Sequence, residues 1–235
     1  MTDSTIASKI DSLRSAIDTA AKSAGRDPNS VTLIAVAKTH DWAAVQQAMV
    51  ANQFVFGENR VQEALSKYPK PSDRPTKMRL HLIGSLQSNK ARQAAEFFDS
   101  IDSLDRESLA LELVKIRDSG VKMPRLLIQV NTGAEPQKSG VLGTDADHFI
   151  ATCLDQWNLP VKGLMCVPPL GQAPEPHFAM LAAIGKKFNL PQLSMGMSHD
   201  FESAIRLGAT AVRVGTAIFG TRPKILELAH DQEAI

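Results

Sequence analysis

Thr32-Leu33-Ile34-Ala35-Val36-Ala37-Lys38-Thr39-His40 is an apolar run that closes on a lysine and turns without a glycine. The run predicts a buried strand. An open doubly wound sheet normally carries a glycine-rich turn after its first strand. Ala37-Lys38-Thr39-His40 offers none, so a closed barrel is the better fit. Working outward, further strand-like runs lie at 53–56, 80–83, 97–101, 125–130, 161–167, 192–195 and 210–214, which makes eight. Helical periods separate them, as in Phe149, Ile150, Cys153 and Leu154, or Phe178, Leu181, Ala182 and Phe188. Strict alternation implies parallel pairing through crossover helices. Before the first strand, Ile6, Ile10, Leu13 and Ile17 predict an amphipathic helix ending near Gly25-Arg26-Asp27-Pro28. The expectation is an α/β chain folded as a single (β/α)8 TIM barrel over residues 1–235, with an extra N-terminal helix.

Composition bounds the function. Lys and Arg total 26 against 25 Asp and Glu, a balance with no electrostatic footprint for nucleic acid or an anionic membrane. A small ligand is the expected partner. Met1-Thr2-Asp3-Ser4 has no basic region leading into an apolar stretch, and no segment reaches the length of a membrane span, so a cytoplasmic protein is expected. Cys153 and Cys166 fit neither a disulfide framework nor a metal site and read as core filling.

In a parallel barrel, ligands bind where the strands end. Lys38 follows the first strand directly, among apolar neighbours, where its amine is placed to attack an aldehyde. Two glycine-bearing turns, Ser194-Met195-Gly196-Met197-Ser198 and Arg213-Val214-Gly215-Thr216, follow the seventh and eighth predicted strands, the recurrent phosphate position of this architecture. Ser198 is also a natural N-cap for the helix beginning near Phe201, and free N–H groups at such an end attract phosphate. An amine opposite a phosphate cradle suits a phosphorylated aldehyde, which points to pyridoxal 5'-phosphate. Arg213 alternates with Val212 and Val214, so outward valines leave its guanidinium inward, facing a ring nitrogen, a phosphate oxygen or a structural ion-pair partner. Asn59, after the second strand, is suited to a phenolic oxygen or to capping the next helix. Each residue also has a plainer reading: Lys38 as a solvated loop lysine, the glycines as corners, His81 as a satisfied buried histidine. Asn131-Thr132-Gly133, Glu135 and Lys138 suggest a polar rim, and no metal-site histidine pair or nucleophile elbow is present.

Ala35-Val36-Ala37-Lys38, Phe56-Gly57-Glu58-Asn59, His81 to Lys90, Ser194 to Ser198, and Val214 to Gly220 together resemble the pyridoxal phosphate homeostasis protein family, related to the alanine racemase barrel domain. The resemblance implies that Lys38 forms the internal aldimine, that Ser198, Gly215 and Thr216 bind phosphate, and that Asn59 and Arg213 line the ring. It also implies cofactor homeostasis rather than an established reaction. Leu80, Cys166 and His199 depart from the usual pattern of the family, which leaves the lysine and phosphate assignments intact but not the electrostatics of the rim; the roles of His81 and His199 stay open. Racemisation on this cofactor needs a second acid or base beside the lysine, often a tyrosine. Tyr68, the only tyrosine, ends the helix after the second strand and is expected at the N-terminal face of the barrel. The expected function is therefore a non-catalytic carrier of pyridoxal phosphate, a monomer whose partners include amino acids or cofactor-requiring apoenzymes. The alternatives are a racemase-like enzyme using His81 or a rim residue, and a cofactor-free Schiff-base aldolase.

Overall fold

The computed structural model describes residues 5–220; Met1 to Ser4 and residues 221–235 of the expected domain lie outside them. Its strands are β1 (Thr32–Val36), β2 (Val55–Glu58), β3 (Arg79–Leu82), β4 (Ser100–Leu104), β5 (Arg125–Asn131), β6 (Val141–Leu142), β7 (Val161–Cys166), β8 (Gln192–Ser194) and β9 (Ala211–Val214). All pair in parallel, in the order β4-β3-β2-β1-β9-β8-β7-β5, and pairing of β4 with β5 closes the ring. Eight parallel staves therefore form the expected barrel. The two-residue β6 adds to β5 outside the ring.

Two predicted strands are displaced. The run at 97–101 forms β4 only from Ser100, because Phe97 is the last residue of α4 (Ala91–Phe97) and Phe98 caps it. The run at 53–56 forms β2 only from Val55; Gln53 before it is buried, with its side-chain amide donating to the carbonyls of Leu33 and Val55.

The remaining helices are α1 (Ile6–Ser23), α2 (Trp42–Val50), α3 (Val61–Lys67), α5 (Glu107–Asp118), α6 (Ala146–Ala151), α7 (Glu175–Lys187), α8 (Phe201–Arg206) and α9 (Thr216–Phe219). The Thr5 hydroxyl accepts the Ser8 N–H at the start of α1, whose buried face is Ile10, Leu13, Ile17, Ala20 and Ala21. That face packs against α2, α8 and α9. Among the described residues α9 is a single turn, and α1 packs beside it and α8. Arg26 locks its C-terminal end by donating to the Ile205 carbonyl of α8, 2.7 Å away.

Strand alternation divides the side chains into two sets. Leu33 and Ala35 of β1, and Ala37 just after it, join the core shared with the helices, whereas Ile34 faces the barrel interior, against Gly57. That interior is unusually polar, with His81, Ser100, Asp102, Ser194 and Arg213 all buried.

Candidate functional site

The ends of β8, β9, β1 and β2 are neighbours in the ring, so the turns bearing Ser198, Gly215-Thr216, Lys38 and Asn59 leave four consecutive staves. At about 4.8 Å per stave these ends span roughly 15 Å, within the reach of one small molecule and its side-chain contacts. Lys38 lies two residues past the end of β1, in a turn. It is exposed at the barrel mouth rather than set among apolar neighbours, because the chain turns there: His40 N–H donates to the Ala37 carbonyl at 3.1 Å. Next to it, Thr39 has a φ of 66°.

The turn after β9 approaches β1 closely. A Cβ on Gly215 would stand 3.0 Å from the Val36 carbonyl oxygen, so glycine lets this turn lie against the strand that carries Lys38. Thr216 is exposed beside it. After β8, the expected cap is corrected: Asp200, not Ser198, is the N-cap of α8. The Asp200 carboxylate turns back to accept the Met197 N–H, which places Ser198 in the turn itself. Among the described residues, neither the Ser198 hydroxyl nor the N–H groups of Ser198 and His199 have a protein partner. Such donors, with the missing Cβ atoms of Gly196 and Gly215, suit a phosphate.

Asn59 is half-buried, and no hydrogen bond uses its side chain among the described residues. α3 begins at Val61 with Arg60 as N-cap, so Asn59 does not cap it. Gly84 was not singled out from sequence, yet a Cβ there would lie 2.3 Å from the Asn59 carbonyl oxygen, so this glycine seats the Asn59 backbone.

Arg213 points inward as the alternation of β9 requires. Its terminal nitrogens donate to the Ser194 carbonyl at 2.6 Å, the Ser194 hydroxyl at 2.8 Å and the Cys166 carbonyl at 2.7 Å. Burial lowers its pKa, but a guanidinium starts high enough to stay charged. Nearby, the Cys166 thiol is pushed up to about 12 by burial and stays protonated. His81 is buried and donates from Nδ1 to Asp102 at 3.0 Å, and the Ser100 hydroxyl donates to the same carboxylate. Burial alone would raise Asp102, but His81, Ser100 and Arg213 hold it below its ordinary value. His199 is exposed.

Tyr68 corrects another expectation. Its hydroxyl reaches the C-terminal end of β2 and donates to buried Glu58 at 2.9 Å, on the helix side of the strand. Burial and the Glu58 carboxylate raise its pKa, so it offers no ready proton. Across the mouth, the rim forms as expected: the Asn131 amide donates to the Glu135 carbonyl at 2.8 Å and Lys138 pairs with Glu135 at 2.6 Å. A cavity of about 1140 Å³ opens at the opposite, N-terminal end, lined by Arg79, His81, Asp102, Arg125 and Ser194. Convergence of an amine with free anion donors, not volume, locates the candidate site at the C-terminal mouth.

Comparison with known proteins agrees with this architecture. Residues 9–223 match the family model described as alanine racemase, N-terminal domain. A pyridoxal phosphate homeostasis protein of Pseudomonas aeruginosa is 42% identical over 224 residues, covering 93% of this chain and 96% of that protein. One from Escherichia coli is 38% identical over 230 residues, covering 92% and 97%. The solved structure of PipY from Synechococcus elongatus with pyridoxal phosphate bound is 38% identical, with a TM-score of 0.77, and covers 92% of this chain and all of that one. Alanine racemase of Corynebacterium glutamicum shares the fold at 18% identity and a TM-score of 0.64, with 64% of its chain covered. The chain belongs to the alanine racemase N-terminal domain family and, within it, to the pyridoxal phosphate homeostasis proteins.

Proposed function

We propose that this protein binds pyridoxal 5'-phosphate through Lys38 as a Schiff base and acts as a carrier in cytoplasmic cofactor homeostasis, without catalytic turnover. The observation that carries the reading is the set of four adjacent stave ends bearing Lys38, Asn59, Ser198 and Gly215-Thr216. A relative 38% identical, PipY, has been solved with this cofactor bound. In the bound state the cofactor supplies an aldehyde and an electron-withdrawing ring. The Lys38 amine adds to the aldehyde carbon; a C=N bond replaces C=O and the oxygen leaves as water. Ser198, Gly215 and Thr216 hold the phosphate, and Asn59 the phenolic oxygen. Arg213, a permanent cation inside the barrel, would disfavour protonation of a ring nitrogen held near it, which would weaken the ring as an electron sink.

The non-catalytic reading rests on what the other candidate acids and bases are doing. Tyr68 is bonded to Glu58 on the far side of β2, and His81 is bonded to Asp102 and borders the opposite cavity. Both are spoken for. A carrier of this kind exchanges its cargo with amino acids or with cofactor-requiring apoenzymes. On incubation with pyridoxal phosphate, wild type should develop a visible Schiff-base band that Lys38→Ala lacks, with stability changed by no more than about 0.5 kcal/mol because the side chain is exposed. Identical spectra from the two proteins would refute the proposal. Exchange of α-carbon deuterium in amino acids at ordinary turnover rates would instead favour a racemase-like enzyme.

A further inference from the structure

The backbone on both sides of Lys38 is gripped from outside the barrel. Lys67, at the end of α3, donates from Nζ to the Ala37 carbonyl at 2.8 Å, and Glu63, in the first turn of the same helix, accepts the Thr39 N–H. Lys67 also pairs with Glu58 at 2.9 Å and with Glu63 at 3.2 Å, so its ammonium finds three acceptors for its three protons. The Lys67 side chain is 7% exposed and that of Glu58 not at all. Lys38 lies between the two grips, and the second holds Thr39, a β-branched residue at a φ of 66°, a conformation it disfavours unless its surroundings impose it.

Stability alone is a poor reason for such a cluster. Desolvating two charges offsets most of their attraction, and apolar residues of similar shape often serve as well. Moreover, the second Glu58 oxygen is buried with no partner. What the cluster does supply is a fixed conformation at one place, the turn from which Lys38 extends. We propose that Glu63, Lys67 and Glu58 form a positioning clamp that sets the Lys38 turn and thereby the approach of its amine to the aldehyde; this rests on Lys38 being the bonding residue. None of the three touches the cofactor. Phosphate binding, which uses the turns after β8 and β9, is independent of them.

The test separates bonding from holding. Stopped-flow absorbance after mixing with pyridoxal phosphate reads the rate of bond formation, and equilibrium dialysis of proteins carrying Lys38→Ala reads the non-covalent hold. Glu63→Ala should slow bonding about 10- to 100-fold, as expected of a displaced reacting group. Added to Lys38→Ala, it should leave the dialysed cofactor unchanged. Glu63→Gln keeps an acceptor for the Thr39 N–H and should restore most of the rate. The double variant Glu58→Gln, Lys67→Met removes both buried charges with little change of shape, and should slow bonding as Glu63→Ala does. A wild-type rate in Glu63→Ala, or in the double variant should Glu63→Ala fail to fold, overturns the clamp alone. Absence of any Lys38-dependent bond in wild type overturns the functional proposal and the clamp with it.

Discussion

A Cβ on Gly196 would stand 2.6 Å from the Cβ of Ala204, and the residue's φ of +94° is one that side chains resist. Gly196→Ala should therefore cost about 1–3 kcal/mol, read as a lower urea midpoint at unchanged m-value. Gly215 has no such strain, but a Cβ would press on the Val36 carbonyl at 3.0 Å. Gly215→Ala should weaken retention of pyridoxal phosphate more than it weakens the fold, measured by dialysis and melting; the reverse order would remove Gly215 from the proposed phosphate cradle. Sequence singles these positions out because two glycine-bearing turns follow neighbouring strands at the recurrent phosphate position of this fold, although either alone also reads as a barrel corner. Thr39 and Lys67 are not singled out, since a β-branched residue gives no sign of a left-handed turn and a helical lysine reads as solvated. The capping role went to Asp200 rather than Ser198 for a related reason: both are good caps, and only the path of the turn decides between them.

At the scale of elements, α1 is the piece that periodicity read best. Its buried Ile10, Leu13 and Ile17 are the residues the spacing selects, on the face that packs against α2, α8 and α9. Ile10 is fully buried, so Ile10→Ala should destabilise the protein by about 2–5 kcal/mol in urea titration, and a cost under 1 kcal/mol would mean α1 is a loose appendage. All eight barrel strands were legible as apolar runs, whereas their ends were not always. Phe97-Phe98 mimicked a strand start although it closes α4, and Gly57-Glu58 concealed the second half of β2 because a buried carboxylate looks like loop chemistry. Glu58 lies inside the fold because Lys67 and Tyr68 come to it, a pairing nine and ten residues away that no local pattern announces.

For the whole molecule, the polar barrel interior makes stability depend on acid. Asp102 is held below its ordinary value of 3.8 by His81, Ser100 and Arg213 against the opposing effect of burial. A depressed folded value means that its contribution is present above that ordinary value and lost as pH falls through the folded one. Glu58, raised by burial above 4.5, runs the other way: its contribution is present at acid pH and lost as pH rises through the folded value. Comparing wild type with Asp102→Asn cancels Glu58. Below about pH 4 the wild type should lose stability faster than the variant, and parallel acid-denaturation curves would contradict the assignment. Among the described residues no helix is long and apolar enough to cross a membrane. The whole account turns on whether Lys38 bonds the cofactor. Borohydride reduction of the loaded protein, followed by peptide mass mapping, should find one phosphopyridoxyl group, on the peptide containing Lys38; a label confined to another lysine, or none at all, would contradict it.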